Sequence, residues 1–274
     1  SPGGEHLAVL DSSDRLHIRE VRTGEFVLRV PKKQQGWKIY WGRDKDYVQW
    51  SPDGTLVFIG GYGSHMLGVP AYHMTVYSVG ERQEVYTRLG LPQYNISWSP
   101  TQPRVFFEGG WVLDFEGRWV LDDRYSCIDV IAPSTVYSRQ QDRSLECPRW
   151  SPNGRFIAGG HYNDMRVVDA SNGDIAYDQR TQPPQDSRPV EFNGVRSWSP
   201  DSGFIAAACR DRISGQARVQ VWRVADSGSL SFVHSLSVGC NIEAMAWNPQ
   251  GTHLALLDHD GYLHVRGVHL PNAS

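Results

Sequence analysis

A run of basic and aromatic residues between positions 31 and 46 is the part of the sequence best suited to binding another molecule. Its sixteen residues, PKKQQGWKIYWGRDKD, include five basic side chains, two acidic ones and three aromatic rings. Exposed aromatic rings beside cationic groups are favoured at protein interfaces. The candidate contact residues in this run are Lys32, Lys33, Trp37, Lys38, Tyr40, Trp41 and Arg43.

A second run, residues 60–73, adds Tyr62, His65 and Tyr72 to these candidates. It reads GGYGSHMLGVPAYH and, like the first run, is predicted to be a loop. An anionic partner or an acidic patch on a protein would suit the basic residues. The alternative is a solvated loop whose aromatic rings fold back onto the protein.

No motif for catalysis or cofactor binding occurs in the sequence. The patterns Gly-x-Ser-x-Gly, His-Glu-x-x-His and Gly-x-x-x-x-Gly-Lys are all absent. His259, His264 and His269 recur every five residues, which fits neither one strand face nor a known ligand spacing. The aspartates of residues 11–14 and 258–260 are predicted to form tight turns rather than a calcium site. We therefore predict no enzymatic activity, no cofactor and no metal site.

Composition narrows the class of protein further. The four cysteines form no Cys-x-x-Cys pair, which favours free thiols in a reducing, intracellular compartment, most simply the cytoplasm. A net charge of −3 and a pI near 6.3 give no reason to expect general nucleic-acid binding. No apolar run is long enough to cross a bilayer, so membrane insertion is not expected.

An internal repeat determines the predicted architecture. A Trp-Ser-Pro or Trp-Asn-Pro motif recurs at intervals of 48, 52, 48 and 49 residues, starting at Trp50, Trp98, Trp150, Trp198 and Trp247. Ser1-Pro2-Gly3-Gly4 is a further copy without its Trp. Because Pro presets φ and Gly tolerates a positive φ, the motif is predicted to form a tight turn.

Each repeat contains four short stretches with strand character. Residues 218–222, for example, alternate between polar and apolar side chains with the period of a half-buried strand. Four short strands per repeat, with turn signals between them, predict an all-β fold, a β-propeller of about six four-stranded blades. Seven blades are possible if residues outside this chain complete the ring. The Trp residues of the motif are predicted to pack between neighbouring blades.

Some segments depart from the repeat. Residues 122–146 are irregular, and residues 127–132 and 135–138 within them could be extra strands of a degenerate blade. Residues 180–194 are rich in Gln, Pro, Asp and Arg and are predicted to form a flexible loop. The first copy lacks an inner strand and the last lacks an outer one. We therefore predict that residues 1–274 form a single β-propeller domain of a longer polypeptide.

Residues 156–173 resemble the repeat unit of WD-repeat propellers. They read FIAGGHYNDMRVVDASNG, with Val168-Asp169 standing where that family has Trp-Asp, although the Gly-His pair of many such repeats is missing. The Trp-Ser-Pro-Asp-Gly element is also similar to Tol-type propellers and to the propeller domains of prolyl-oligopeptidase-like enzymes. The resemblance covers nearly the whole chain. What it implies is a rigid platform for other proteins.

Three functions remain open on the sequence. The first is a non-enzymatic protein–protein interaction scaffold within a larger protein or multiprotein complex, with other subunits or peptides as partners. The second is the gating or substrate-binding domain of a larger hydrolase such as a prolyl-oligopeptidase-like enzyme. The third is a small-ligand-binding propeller, whose candidate residues near the starts of the inner strands are Gln49, Asn95, Arg149, Arg196 and Glu243.

Overall fold

The regular secondary structure of the described residues is entirely β-strand. The computed structural model describes residues 1–10, 16–30, 39–40, 48–64, 70–89, 96–108, 111–113, 119–121, 124–132, 134–140, 145–160, 164–180, 190–268 and 270. Within these ranges there is no helix long and apolar enough to span a membrane. The chain divides into two compact units, Ser1–Gln141 and Asp142–Ser274.

The first unit contains three antiparallel sheets and a separate hairpin in its described part. The first sheet consists of β1 (His6–Leu10), β2 (Leu16–Glu20) and β3 (Phe26–Arg29). The second consists of β4 (Ile39–Tyr40), β5 (Val48–Trp50), β6 (Leu56–Ser64), β7 (Pro70–Ser78) and β8 (Gln83–Leu89). The third begins with β9 (Ile96–Trp98) and β10 (Arg104–Glu108), is interrupted by the hairpin of β11 (Trp111–Leu113) and β12 (Trp119–Leu121), and ends with β13 (Arg124–Asp129) and β14 (Ser134–Gln140).

The second unit contains three more antiparallel sheets in its described part. The fourth sheet consists of β15 (Arg149–Trp150), β16 (Phe156–Gly159), β17 (Arg166–Asp169) and β18 (Ile175–Asp178). The fifth consists of β19 (Val190–Trp198), β20 (Phe204–Asp211), β21 (Ala217–Val224) and β22 (Leu230–Ser237). The sixth consists of β23 (Ile242–Trp247), β24 (His253–Asp258) and β25 (Leu263–Gly267). In all three, neighbouring strands are consecutive in the sequence, which is the order predicted for propeller blades.

The irregular segment 122–146 completes the third sheet. Strand β13 pairs with β10, and β14 pairs with β13, so they are the third and fourth strands of that sheet. The repeat is irregular here because the hairpin β11–β12 separates β10 from β13. Residues 127–132 and 135–138 therefore belong to the third repeat and do not form an extra blade.

Two segments predicted to be loops are partly strand. In residues 60–73, β6 continues to Ser64 and β7 begins at Pro70, and the two strands pair from Leu56↔Ser78 to Ser64↔Pro70. Between them, residues 65–69 lie outside the described part of the chain. In residues 180–194, the last five belong to β19, while residues 181–189 also lie outside the described part. The loop prediction was wrong for the residues that these strands contain.

The serine of the repeated motif closes its turn through side-chain hydrogen bonds. Ser199 Oγ accepts a hydrogen bond from the Phe204 N–H at 2.9 Å, and its proton is shared between Asp201 Oδ1 and the Phe204 carbonyl. Ser51 and Ser151 make the same set of bonds in their own copies. All three serines are buried, so these bonds satisfy backbone groups that water cannot reach.

Two Trp residues of the motif connect neighbouring sheets, as the sequence predicts. Trp198 Nε1 donates a hydrogen bond to the carbonyl of Arg149 at 2.9 Å. Trp247 Nε1 donates to the carbonyl of Ser197 at 3.0 Å. Each acceptor residue directly precedes the motif Trp of the previous repeat. The bonds therefore join the inner strands of consecutive sheets.

Replacing Trp198 with Phe is expected to lower the free energy of unfolding by about 1 kcal/mol more than replacing Trp98 with Phe. The first change leaves the carbonyl of Arg149 without its indole donor. Trp98 is similarly buried, at 8% exposed against 7% for Trp198, but its Nε1 has no hydrogen-bond partner among the described residues. Urea unfolding of the two variants measures the difference. Equal losses would mean that the indole N–H of Trp198 adds no stability.

Two apolar cores hold the sheets of the second unit together. One lies between the fourth and fifth sheets and contains Val167, Phe192 and Trp222, each at most 1% exposed. The other lies between the fifth and sixth sheets and contains Val219 and Leu254, both fully buried. These cores fix the strand ends that carry the polar residues described next.

Candidate interaction site

The residues that the sequence predicts for partner binding fall mostly outside the described part of the chain. Those outside it are Lys32, Lys33, Trp37, Lys38, Trp41, Arg43 and His65. Tyr40, Tyr62 and Tyr72 lie in β4, β6 and β7, where Tyr62 is the register partner of both other tyrosines. The backbone thus brings three positions from two separate sequence runs into one row across three strands.

An open groove lies between the fifth and sixth sheets, near the starts of β19, β21 and β23 and the end of β20. Its volume is about 580 Å³. Its polar lining consists of Glu191, Asn193, Arg210, Arg218, Asn241 and Glu243, and its apolar lining of Phe192, Val195, Ala208, Cys209, Ala217 and Ile242. This feature is called the polar groove below. Sequence reasoning missed it, apart from Glu243.

A second cavity of about 430 Å³ adjoins the polar groove. The two share Arg210, Ala217 and Asn241, and the second extends along the β20–β21 turn to Cys240 in the β22–β23 connection. The β20–β21 turn joins the second strand of a sheet to the third, as residues 60–73 do in the second sheet. The β22–β23 connection joins an outer strand to the next inner strand, as residues 31–46 do between the first and second sheets.

Hydrogen bonds across the polar groove hold its two walls together. Arg210 Nη2 in β20 donates to Asn241 Oδ1 at 2.8 Å. Asn193 Nδ2 in β19 donates to the carbonyl of Ile242 in β23 at 2.7 Å. One bond joins the fifth sheet to the residue that precedes β23 and the other joins it to β23 itself, so the width of the groove is set by the fold.

Charges of both signs line the polar groove. Glu243 Oε1 lies 3.0 Å from His259 Nδ1, and this hydrogen bond raises the pKa of His259. Arg218 Nε lies 3.7 Å from Asp211 Oδ2. Glu191 is exposed on the β19 side. A bound molecule would therefore meet two guanidinium groups and two carboxylates.

Buried aspartates recur at or after the end of the second strand in the fourth, fifth and sixth sheets. Asp164, Asp211 and Asp258 are 47 residues apart and at most 5% exposed. Asp211 Oδ1 accepts hydrogen bonds from the N–H groups of Ser214 and Ile213, which hold the pKa of its carboxyl below the ordinary value. Through these bonds Asp211 shapes the turn between β20 and β21. The prediction of tight-turn aspartates is confirmed for Asp258, whose Oδ1 accepts the Tyr262 N–H at 2.8 Å.

Arg196, one of the candidates for a small-ligand site, is a packing residue. It is 5% exposed and donates hydrogen bonds to the carbonyls of Gly160 and Asp164 in the fourth repeat. Burial lowers the pKa of its guanidinium to about 10. Its side chain is engaged in hydrogen bonds between two repeats. Asn95 lies outside the described part of the chain.

The cysteines are all free thiols, and one belongs to a group that could hold a metal ion. Burial raises the pKa of Cys127 and Cys209 to about 12, so these thiols are poor nucleophiles. Partial burial, together with the carboxylate of Asp258, raises the pKa of Cys240. Among the described residues, Cys240, Asp258 and His264 form this group of potential metal ligands, and their ligand atoms lie within 4.8 Å of one another.

The fold is that of a β-propeller. A solved structure, the β-propeller domain of Cps50 (Swd1) from Myceliophteria thermophila, matches 98% of this chain and 94% of its own length, with a TM-score of 0.53 and 12% sequence identity. No family profile and no curated protein matches the sequence. The predicted fold class is therefore confirmed. Because one fold hosts many functions, the function has to be argued from the site.

Proposed function

We propose that this β-propeller is a non-enzymatic protein-interaction module that binds a polar segment of a partner protein in the polar groove. The observation that carries the proposal is the groove itself. It offers about 580 Å³ of open space between two sheets. Guanidinium, carboxylate and amide groups line it, and hydrogen bonds between Arg210 and Asn241 and between Asn193 and Ile242 fix its walls.

A polypeptide suits this lining better than a small apolar ligand. The side-chain amides of Asn193 and Asn241 can both donate and accept hydrogen bonds, as a peptide backbone requires. Arg210 and Glu243 carry opposite charges, which favours one orientation of a partner that carries charges of both signs. The adjoining cavity lengthens the groove along the β20–β21 turn, which leaves room for an extended segment.

The scaffold supports binding because its walls are already in place. The apolar cores on both sides of the fifth sheet hold β19, β20 and β23. A preformed groove loses little conformational entropy when it binds a partner, so more of the contact energy remains as affinity. Connections at the ends of such strands can vary without disturbing the core, which suits a site of recognition.

The arrangement of acid–base groups near the groove favours binding over catalysis. Cys240 Sγ and Asp258 Oδ2 both approach the same nitrogen of His264, Nε2, at 3.9 Å and 2.7 Å. A cysteine nucleophile is activated by one imidazole nitrogen while a carboxylate holds the other. This group therefore lacks the geometry of a nucleophile and its base. Four free cysteines also favour a reducing, intracellular compartment.

Residues 31–46, with Tyr62, His65 and Tyr72, belong to the proposal as a second contact region. The row of positions Tyr40, Tyr62 and Tyr72 supports this placement, because both sequence runs meet in one sheet.

Changing Arg210 to Glu is expected to reduce recovery of bound partners by about tenfold or more, because it reverses a charge that lines both the groove and the adjoining cavity. The protein is captured from cells of its source, and bound proteins are quantified by mass spectrometry. Arg155→Glu is the matched control, since Arg155 is an exposed arginine in a turn at the opposite ends of the strands. Trp37→Ala with Trp41→Ala tests the second region in the same assay. Equal recovery with Arg210→Glu and Arg155→Glu would contradict the proposed groove.

A further inference from the structure

Three potential metal ligands from separate elements converge beside the second cavity. Cys240 lies in the β22–β23 connection, Asp258 at the end of β24 and His264 in β25. His264 Nε2 is 3.9 Å from Cys240 Sγ and 2.7 Å from Asp258 Oδ2. All three donor atoms lie within 4.8 Å of one another, so a single ion could contact all of them.

The distances are close to those of a tetrahedral zinc site. Zinc bonds of about 2.0–2.3 Å at tetrahedral angles separate a sulfur from a nitrogen ligand by about 3.6 Å and a nitrogen from an oxygen ligand by about 3.4 Å. Cys240 Sγ and His264 Nε2, at 3.9 Å, have to approach by about 0.3 Å to reach this geometry. The pair of His264 and Asp258 has to open by about 0.7 Å as the ion replaces the proton between them.

The surroundings leave these donor atoms available. The Tyr262 N–H holds Asp258 Oδ1 at 2.8 Å, which orients the carboxylate so that Oδ2 faces the cluster. Cys240 Sγ contacts only one backbone acceptor among the described hydrogen bonds, the carbonyl of Val238 at 3.3 Å. Cys240 also lines the second cavity of about 430 Å³, where a fourth ligand from solvent or from a partner can enter.

We propose that Cys240, Asp258 and His264 form a site for a zinc-like divalent cation. Thiolate, imidazole and carboxylate are the three ligand types that zinc takes in proteins. The thiolate and the imidazole favour zinc over magnesium or calcium. The ion would join the β22–β23 connection to β24 and β25, beside the second cavity. It leaves one coordination position open toward the second cavity.

Cobalt(II) titration of the full chain tests the site, because Co²⁺ takes the place of zinc and a thiolate ligand gives it a near-ultraviolet charge-transfer band. The chain is first freed of metal with a chelator under reducing conditions. One equivalent of Co²⁺ is expected to produce the band, and Zn²⁺ is expected to remove it by displacement. Cys240→Ser should abolish the band. His264→Gln removes a ligand itself, so it should weaken the affinity for Co²⁺ by more than about 100-fold, the upper effect of losing a residue that only supports a ligand.

Matched controls separate this site from surface binding. Cys147→Ser changes another half-buried cysteine, and His259→Ala changes a neighbouring histidine whose partner is Glu243. Both variants should bind Co²⁺ as the unchanged protein does. Circular dichroism confirms that each variant is folded. Absence of the band in the unchanged protein, or its persistence in Cys240→Ser, would overturn the proposal and mark any remaining binding as adventitious.

Discussion

Replacing Asp178 with Ala is expected to lower the free energy of unfolding by about 3–5 kcal/mol. Asp178 in β18 lies opposite Arg166 in β17, and its Oδ2 accepts a hydrogen bond from Arg166 Nε at 3.1 Å. The Arg166 side chain is only 2% exposed. The substitution removes this ion pair from the interior, where water cannot replace the carboxylate.

An exposed pair of the same residue types provides the control. Arg155 Nη1 and Asp226 Oδ1 are 3.3 Å apart, but their side chains are 53% and 102% exposed. Asp226→Ala should therefore cost less than about 1 kcal/mol. Replacing both members of the buried pair, Arg166→Met with Asp178→Leu, should recover most of the stability lost in Asp178→Ala. Urea unfolding at neutral pH measures all three, and similar losses for the two single variants would refute the explanation.

The architecture could be predicted because each repeat carries its own turn chemistry. Ser199, Pro200 and Asp201 specify a turn through contacts within six residues, and the same contacts occur in the copy that begins at Ser151. Turns of this kind at nearly constant spacing fix where strands begin. Local signals are sufficient for such a prediction. The start of β6 was predicted, but its continuation to Ser64 was missed because glycines at 60, 61 and 63 disfavour strand in isolation, whereas pairing with β7 overrides them.

The candidate sites depend on pairing that no local signal encodes. His259, His264 and His269 were treated as one series in the sequence because they are five residues apart. The structure places His259 in the turn after β24, with the partner Glu243, and His264 in β25, with the partner Asp258. Cys240 comes close to Asp258 and His264 only through the register of the sixth sheet.

Some signal for the polar groove is present in the sequence, although it is weak. Arg210 follows directly after the apolar run 204–209, at the point where β20 leaves the core. A charged residue at such a position indicates a strand end. It does not indicate that Asn241, 31 residues later, lies within hydrogen-bond distance. That contact follows from the packing of the fifth sheet against the sixth.

The second large effect is expected at Ser199, whose replacement by Ala should lower the free energy of unfolding by about 2–3 kcal/mol. Ser199 is 1% exposed, and its hydroxyl satisfies the Phe204 N–H, the first backbone donor of β20. Alanine fills nearly the same space but leaves that N–H without its acceptor. It also removes the bond to Asp201, so two of the contacts that close the turn disappear together.

Ser99→Ala separates the hydrogen-bond effect from the effect of burial, because Ser99 is also 1% exposed. The third copy of the motif continues with Thr101 and Gln102, and there the Arg104 N–H bonds to the Gln102 carbonyl at 2.7 Å. Among the described hydrogen bonds, Ser99 Oγ makes only long ones, accepting from the Thr101 N–H at 3.4 Å and pairing with Thr101 Oγ1 at 3.5 Å. A loss of about 1 kcal/mol or less is therefore expected. Thermal or urea unfolding measures both losses. Equal losses for Ser99→Ala and Ser199→Ala would mean that burial alone explains the effect of the serine on stability. The hydrogen bond between Ser199 and Phe204 would then not be what stabilises the turn.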